Sequence, residues 1–136
     1  MKFVDYISKG QVKRGQKDFF LAKSLTGTAD LDLRFLQSLK IDKTSARKIM
    51  TNYYDVLRSI LEAMAALEGY KVYSHEAFTY FLKQKGEENL ARKFDRFRKI
   101  RNGINYYGKD ISAAEVKEHV KEMQEIITIL RAKYLS

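Results

Sequence analysis

The sequence contains no cysteine, no proline and no tryptophan among its 136 residues. Without cysteine there is no disulfide framework, no thiolate nucleophile and no cysteine-ligated metal. The two histidines, His75 and His119, lie far apart in the chain and form no H-x-x-x-H ligand pair. The chain also has no nucleophile elbow, phosphate-binding loop or dinucleotide fingerprint. We therefore expect no metal site and no cofactor.

Long apolar runs are absent as well. Residues 1–6 lack the apolar core of roughly 7–15 residues that a signal peptide needs. No segment approaches the roughly 18 consecutive apolar residues that are typical of a membrane span. These absences predict a cytoplasmic protein without a membrane partner.

Basic residues outnumber acidic ones, since 26 Lys and Arg stand against 17 Asp and Glu, for a formal net charge of +9. Apolar residues make up 45% of the chain, which is enough for the core of a single domain over residues 1–136. The positive excess favours an anionic partner such as nucleic acid, a nucleotide or an acidic protein surface.

Apolar residues recur with a helical period nearly throughout, and no segment alternates with period two for long enough to predict a strand. The predicted helices cover residues 10–40, with a break or bend at 26–28, and then 42–68, 74–85, 87–106 and a last helix after Ser112. Leu31, Phe35 and Leu39 form the stripe of the first region. Ser112 and Glu115 form a capping box. The pattern predicts an all-α, up-and-down bundle of about five helices.

Arg101 stands where the helical pattern expects a core residue. Four apolar residues form a stripe within roughly 80° of the helix wheel, with Arg101 near its middle: Leu90, Phe94, Phe97 and Ile104. A guanidinium cannot lose its charge and is almost never fully buried unless it is paired. Arg101 must therefore meet an internal partner, or face a cleft in which something polar or anionic binds. We favour the cleft.

Other polar residues extend this candidate site. Arg98 and Asn105 border the same stripe, and Asn102 follows Arg101 directly, although asparagine is also common near helix ends. Tyr106 and Tyr107 are suited either to stacking on bases or to ordinary packing.

Two further groups have both a functional and a structural interpretation. His75 follows the predicted cap Ser74 and is either catalytic or a partly buried histidine bonded to the backbone. Arg92, Arg96 and Lys99 share an outward face, which either contacts a phosphate backbone or is simply solvated.

Five short segments stand in a characteristic order along the chain: Asn52-Tyr53-Tyr54-Asp55-Val56-Leu57-Arg58, Glu68-Gly69-Tyr70, Ser74-His75-Glu76-Ala77, Arg101-Asn102 and Tyr106-Tyr107-Gly108. In this order they resemble the HEPN domain superfamily, closest to its small single-domain prokaryotic members, over about residues 10–135. The resemblance implies a helical bundle that dimerises. It further implies either a non-catalytic binding module or a metal-independent ribonuclease toxin paired with a nucleotidyltransferase antitoxin.

The chain departs from the ribonucleases of that family at one position. Arg101 and Asn102 match the start of their motif, in which a histidine follows within a few residues. Here Tyr106 and Tyr107 occupy that region, and the next histidine is His119. Because a tyrosine with a pKa near 10 is a poor base at neutral pH, we expect cleavage to be weak or absent.

We therefore expect a nucleotide- or RNA-binding module that works as a homodimer. Arg101 would contact phosphate and Arg98 would add charge, while Asn102 and Asn105 would position the ligand.

Two alternatives stay open. In the first, the chain is a metal-independent endoribonuclease in which Arg101 acts with Tyr106, Tyr107 or His75 in place of the motif histidine. In the second, it is a protein-interaction partner of a nucleotidyltransferase. If the chain is a nucleotide- or RNA-binding module, Tyr106, Tyr107 and His75 would also contact the nucleotide or RNA.

Overall fold

The computed structural model describes residues 1–136 and contains six helices and two short strands. In chain order the elements are α1 (Phe3–Ser8), β1 (Val12–Arg14), α2 (Phe19–Gln37), α3 (Ala46–Leu67), β2 (Tyr70–Val72), α4 (His75–Gln84), α5 (Glu88–Tyr107) and α6 (Ala113–Tyr134). The predicted all-α bundle is confirmed. None of the helices combines the length and apolar character needed to cross a membrane.

Helix α3 is the centre of the bundle. Its side chains are buried on most of its circumference, and Leu57, Ile60 and Leu61 are fully buried. Helices α2 and α6 pack along α3, whereas α4 packs mainly on α5, which in turn reaches α3. This arrangement brings one side each of α3, α4 and α5 together, and the candidate site lies there.

The apolar stripe predicted for α5 is buried as expected, since Leu90, Phe94, Phe97 and Ile104 all belong to the core. The helix ends at Tyr107, because Gly108 adopts a left-handed conformation with φ 63°. Residue 108 therefore needs glycine. Arg101 lies half-buried in this stripe.

The helix starts are partly as predicted. Ser112 and Glu115 form the expected capping box at α6. The predicted start of the central helix at residue 42 is wrong, since α3 begins only at Ala46. The Asp42 carboxylate instead accepts hydrogen bonds from the backbone N–H groups of Thr44 and Ser45, each at 2.9 Å. It thereby closes the turn that precedes α3.

The prediction of one helical region over residues 10–40 is wrong. The chain forms α1, turns at Gly10 with φ 75°, and continues as β1 before α2 begins. Strand β1 pairs antiparallel with β2, with Val12 opposite Val72. Strands of three residues are too short to show a period of two, so their pairing has no signature in the local sequence.

Two glycines allow the chain to cross beside this strand pair. The N–H of Gly15 donates to the carbonyl of Gly69 at 2.7 Å. A Cβ atom at residue 69 would lie 2.5 Å from the carbonyl oxygen of Gly15, and φ at Gly69 is 84°. Both the close approach and the backbone conformation therefore require glycine at position 69.

The predicted break at residues 26–28 is absent, because α2 runs without interruption from Phe19 to Gln37. The Thr26 hydroxyl donates to the carbonyl of Ala22 at 2.8 Å, so this β-branched residue is accommodated inside the helix.

The predicted stripe of this region is also wrong. Helix α2 packs against the core with Ala29, Leu33 and Leu36, whereas Leu31 and Phe35 are exposed. The outer face of α2, as we name it below, consists of exposed residues that share one side of the helix: Phe20, Ser24, Gly27, Leu31 and Phe35.

Candidate functional site

Polar side chains from three helices surround Arg101. We call this group the arginine cluster: Tyr54, Asp55 and Arg58 from α3, His75 and Glu76 from α4, and Arg98, Arg101 and Asn102 from α5. The structure thus brings together five of the residues predicted from the sequence, His75, Arg98, Arg101, Asn102 and Tyr106. His75 and Arg101 are 26 positions apart in sequence, and only the packing of α4 on α5 makes them neighbours.

Two tyrosine rings flank the guanidinium of Arg101. Its Cζ atom lies 5.7 Å from the ring centroid of Tyr54 and 5.6 Å from that of Tyr106. Tyr54 is fully buried and stacks on Phe94 with a centroid separation of 5.6 Å. The core therefore supports one side of the guanidinium, while the more exposed Tyr106 covers another.

Arg101 has no carboxylate partner. Its Nη1 atom donates to the side-chain oxygen of Asn102 at 3.3 Å and to the hydroxyl of Tyr106 at 3.2 Å, and both acceptors are neutral. Its Nε atom is buried and makes no hydrogen bond. A half-buried positive charge without a counter-ion attracts an anion, and a buried donor without an acceptor is costly.

The other two arginines of the cluster are neutralised. Arg98 donates twice to Asp95, at 2.8 and 3.1 Å, and its Nη2 atom lies 3.9 Å from Glu76. Arg58 forms an ion pair with Glu62 one turn further along α3. Arg101 is therefore the one arginine of the cluster whose charge is free to meet a ligand.

Asp95 is tightly held by its neighbours. Burial raises the pKa of this carboxyl, but the hydrogen bonds from Arg98 and Lys99 outweigh it and leave the pKa below its ordinary value. Thr79 on α4 also donates to Asp95 at 3.2 Å. Arg98 and Asp95 form a pair within α5, and their contacts with Glu76 and Thr79 connect this pair to α4, which is a structural role.

His75 is neutral at physiological pH. Burial, followed by the nearby charges of Arg58, Arg101 and Arg98, lowers its pKa from 6.5 to about 4. Its Nδ1 atom shares a hydrogen bond of 3.2 Å with the hydroxyl of Tyr54. Tyr54 therefore links the two candidate residues, with its ring against Arg101 and its hydroxyl on His75.

Burial also raises the pKa of two other groups of the cluster, Tyr54 and Asp55. It raises the pKa of Tyr54 despite the opposing charge of Arg101, so the phenol stays un-ionised. It raises the pKa of Asp55 as well, with Arg58 and Arg101 opposing the rise and Asp32 adding to it. Asp32 belongs to α2, so α2 places one carboxylate near enough to Asp55 to raise its pKa.

The structure does not bring all predicted site residues to Arg101. Asn105 is exposed and lines a separate shallow cavity, together with Arg47, Lys48 and Thr51. Tyr107 is 77% exposed and makes no hydrogen bond or ring contact with Arg101. Of the two tyrosines, only Tyr106 touches the arginine.

Sequence reasoning missed Tyr54 and Arg58 as members of the site. Both appeared only within a segment that resembles a family motif. Their spacing of four residues puts them on the same side of α3, and that signal was available in the sequence. Nothing local, however, indicated that this side of α3 faces Arg101.

The arrangement is suited to binding a phosphate group. Arg101 offers a charge that has no ion-pair partner, and an arginine fork matches phosphate oxygens well. No group of three or more histidine, cysteine, aspartate or glutamate residues is placed to hold a metal ion.

Comparison of the chain with protein-family models, with curated proteins and with solved structures finds no match.

Proposed function

We propose that the chain is a HEPN-like nucleotide- or RNA-binding module that holds a phosphate group at Arg101. The observation that carries this proposal is the charge of Arg101, which is half-buried, stacked on Tyr54 and without a carboxylate partner. Arg98 nearby is bound to Asp95 and therefore adds to the local field without being free to engage a ligand. The net charge of +9 favours the approach of a polyanion.

The state of His75 supports binding over cleavage. A ribonuclease of this kind needs a residue that gives a proton to the leaving oxygen near neutral pH. With a pKa of about 4, His75 is not in its imidazolium form at pH 7 and is therefore a poor proton donor, and its Nδ1 atom is occupied by Tyr54. The site therefore provides a positive charge that can bind phosphate, but no side chain that readily donates a proton near neutral pH.

The test measures RNA retention and RNA cleavage in one assay. End-labelled single-stranded RNA is incubated with protein in EDTA, and filter retention and gel electrophoresis are scored together. We expect the wild type to retain intact RNA, and Arg101→Ala to weaken retention about tenfold. Arg14→Ala is the matched control, because Arg14 is exposed on β1 and forms no ion pair. Retention should fall steeply as salt is raised.

Two results would contradict this proposal. Equal loss of retention in Arg101→Ala and Arg14→Ala would mean that only net charge matters. Cleavage of RNA by the wild type in EDTA would establish the alternative, a metal-independent endoribonuclease. The contact that favours this alternative is the hydroxyl of Tyr106, which lies 3.2 Å from Nη1 of Arg101.

We also propose that two copies of the chain pair through the outer face of α2. Phe20 is 90% exposed, and Leu31 and Phe35 are 62% and 63% exposed. A surface that places large apolar side chains in a row on one helix is typical of a protein interface. The smaller residues Ser24 and Gly27 lie between them.

The order of residues along this face is self-complementary. When two α2 helices are laid antiparallel around a point between Gly27 and Thr28, Phe20 of one copy is level with Phe35 of the other. Leu31 then meets Ser24, so a large side chain faces a small one. A two-fold dimer requires this kind of self-matching surface.

Light scattering coupled to size-exclusion chromatography tests the dimer. We expect the wild type to elute as a dimer and Phe35→Glu as a monomer, since a charge in an apolar interface is costly. Phe19→Glu is the matched control, because Phe19 is 64% exposed on α2 but lies off the outer face. A monomeric wild type would overturn the dimer. Stable binding of that monomer to a nucleotidyltransferase encoded beside it would then support the alternative partner.

A further inference from the structure

A cavity of about 230 Å³ lies between the start of α3 and the end of α5, and we call it the Arg47 cavity. Five residues line it: Arg47, Lys48, Thr51, Ile104 and Asn105. Its volume is below the range of roughly 300–1,000 Å³ that is typical of small-molecule sites. The Arg47 cavity is therefore suited to a group of the size of a phosphate and not to a whole nucleotide.

The positive charges at this cavity have no partner in the protein. Neither Arg47 nor Lys48 forms an ion pair or a side-chain hydrogen bond, both are exposed, and no acid lines the cavity. The nearest acid in the sequence, Asp42, is bonded to the backbone N–H groups of Thr44 and Ser45 and lies outside the lining. The charge at the Arg47 cavity is therefore positive without local compensation.

The position of these two cations is unfavourable for the helix that carries them. Arg47 and Lys48 belong to the first turn of α3, and this turn contains no acid. The partial positive charge of a helix N-terminus repels cations and attracts anions. An anion bound beside Arg47 and Lys48 would remove this repulsion.

The Arg47 cavity and the arginine cluster lie along one groove between two helices. The α3 side of the groove has residues at i, i+4, i+7 and i+11, which share one side of the helix: Arg47, Thr51, Tyr54 and Arg58. The α5 side has residues at i, i+3 and i+7, which are arranged in the same way: Arg98, Arg101 and Asn105. Contacts cross the groove at both places, because Tyr54 touches Arg101 and the cavity lining joins Arg47 to Asn105.

The spacing along the helices separates two places for phosphate. Tyr54, which contacts Arg101, follows Arg47 by about 10 Å along α3 at 1.5 Å per residue. Asn105 follows Arg101 by about 6 Å along α5. A phosphate held at Arg101 therefore leaves Arg47 and Lys48 free for another phosphate of the same strand.

The groove as a whole carries an excess of positive charge. Its cations without an ion pair are Arg47, Lys48 and Arg101, whereas Asp55 is the one carboxylate of the arginine cluster without an ion pair. Tyr106 lies against Arg101 and is 68% exposed, so it offers a ring on which an unpaired base can stack. Several phosphates and unpaired bases together are the properties of a single strand.

We propose that the ligand of this protein is single-stranded RNA of several nucleotides and not a mononucleotide, with one phosphate at Arg101 and another at the Arg47 cavity. Arg47 and Lys48 would hold the second phosphate, and the side-chain amide of Asn105 would donate a hydrogen bond to it. This inference rests on the phosphate site proposed at Arg101 and extends that site along the groove.

Titrations followed by NMR at constant ionic strength test the inference, with uridine monophosphate and 5′-phosphorylated triuridylate as probes. We expect the wild type to bind triuridylate at least about tenfold more tightly, which exceeds the threefold gain that three phosphates give by number alone. Arg47→Ala should weaken triuridylate binding about fivefold or more and leave uridine monophosphate binding within about twofold. Arg101→Ala should weaken the binding of both probes.

Arg92→Ala is the matched control, since Arg92 is exposed on α5 and forms no ion pair but lies outside the groove. It lines a different cavity, together with His119 and with three acids: Asp95, Asp110 and Glu115. Because those carboxylates oppose an anion, Arg92→Ala should leave triuridylate binding within about twofold of the wild type. Both Arg47→Ala and Arg92→Ala should keep the melting temperature of the wild type, because neither arginine has a partner to lose.

Three results would contradict the inference. Equal weakening of triuridylate binding by Arg47→Ala and Arg92→Ala would overturn it, as would a triuridylate affinity within about threefold of that of uridine monophosphate. In both cases, loss of uridine monophosphate binding in Arg101→Ala would still support the phosphate site at Arg101. Absence of binding of either probe to the wild type would overturn the proposed function itself and this inference with it.

Discussion

Arg98 and Arg101 lie one turn apart on α5 and are both half-buried, but their surroundings differ. Arg98 is held by two hydrogen bonds to Asp95, and Glu76 lies nearby. Arg101 meets only neutral acceptors and the rings of two tyrosines. The two arginines therefore differ in their partners, although the local sequence does not distinguish them. The first links two helices, and the second carries a charge that the protein itself does not neutralise.

The comparison is tested most strongly by replacing each arginine with methionine. Arg98→Met should lower the free energy of unfolding by about 2–3 kcal/mol, because Asp95 loses two charge-assisted bonds in a partly buried place. Arg101→Met should change it by less than about 1 kcal/mol, since no acid loses its partner. Urea unfolding followed by circular dichroism measures both. Equal losses in the two variants would mean that Arg101 is structural.

The pH dependence of stability also tests the surroundings of these arginines, because the charges of Arg58, Arg98 and Arg101 all lower the pKa of His75. Since folding lowers the pKa of His75 from 6.5 to about 4, the unfolded chain binds a proton more readily than the folded one. His75 therefore leaves stability unaffected above pH 6.5 and reduces it as the pH falls from 6.5 towards 4. The contribution of this single group is at most about 1.4 kcal/mol per pH unit.

The measurement is urea unfolding of the wild type and of His75→Gln between pH 4 and pH 8. We expect the variant to have the shallower slope below pH 6.5. His119→Gln serves as a comparison, because burial lowers the pKa of that residue too. An unchanged slope in His75→Gln would show that His75 is not held neutral by its surroundings.

The smallest expected effect concerns the tyrosine that touches Arg101. Tyr106→Phe removes the hydroxyl that accepts from Nη1 of Arg101 but keeps the ring beside the guanidinium. Because Tyr106 is 68% exposed, stability should stay within about 0.5 kcal/mol of the wild type. RNA retention should fall by no more than about threefold, a value that corresponds to one modest hydrogen bond.

Tyr107→Phe is the matched control for this change, since Tyr107 is equally exposed and makes no contact with Arg101. It should leave RNA retention unchanged. A tenfold loss in Tyr106→Phe would assign the hydroxyl a direct role at the ligand. If the wild type cleaves RNA, abolition of that cleavage by Tyr106→Phe would identify the tyrosine as the residue that replaces the motif histidine.

Local sequence signals predicted the C-terminal part of the bundle well. The stripe of α5 and the capping box of α6 both involve residues within a few positions of one another. The N-terminal part was predicted poorly for the corresponding reason. Strand β1 forms because it pairs with β2, which follows almost sixty residues later in the chain. The local sequence around β1 gives no indication of this partner.

The outer face of α2 shows a second limit of periodicity. Leu31 and Phe35 have the spacing of a core stripe, and so they were assigned to the core. Helix α2 also carries Ala29, Leu33 and Leu36 on another side, and this side packs against α3. When a helix is apolar on two sides, its sequence does not show which side packs against the core of the same chain.

The order of residues is enough to show that this chain is helical, positively charged and without cysteine chemistry, and that one arginine interrupts a core stripe. These properties follow from composition and from spacings within single helices. The packing of the helices, in contrast, is needed to show that Arg98 is paired and Arg101 is not, that Tyr54 joins Arg101 to His75, and that His119 lines a cavity. Charge and hydrogen-bond partners depend on how separate helices pack, and residues distant in sequence become neighbours only then.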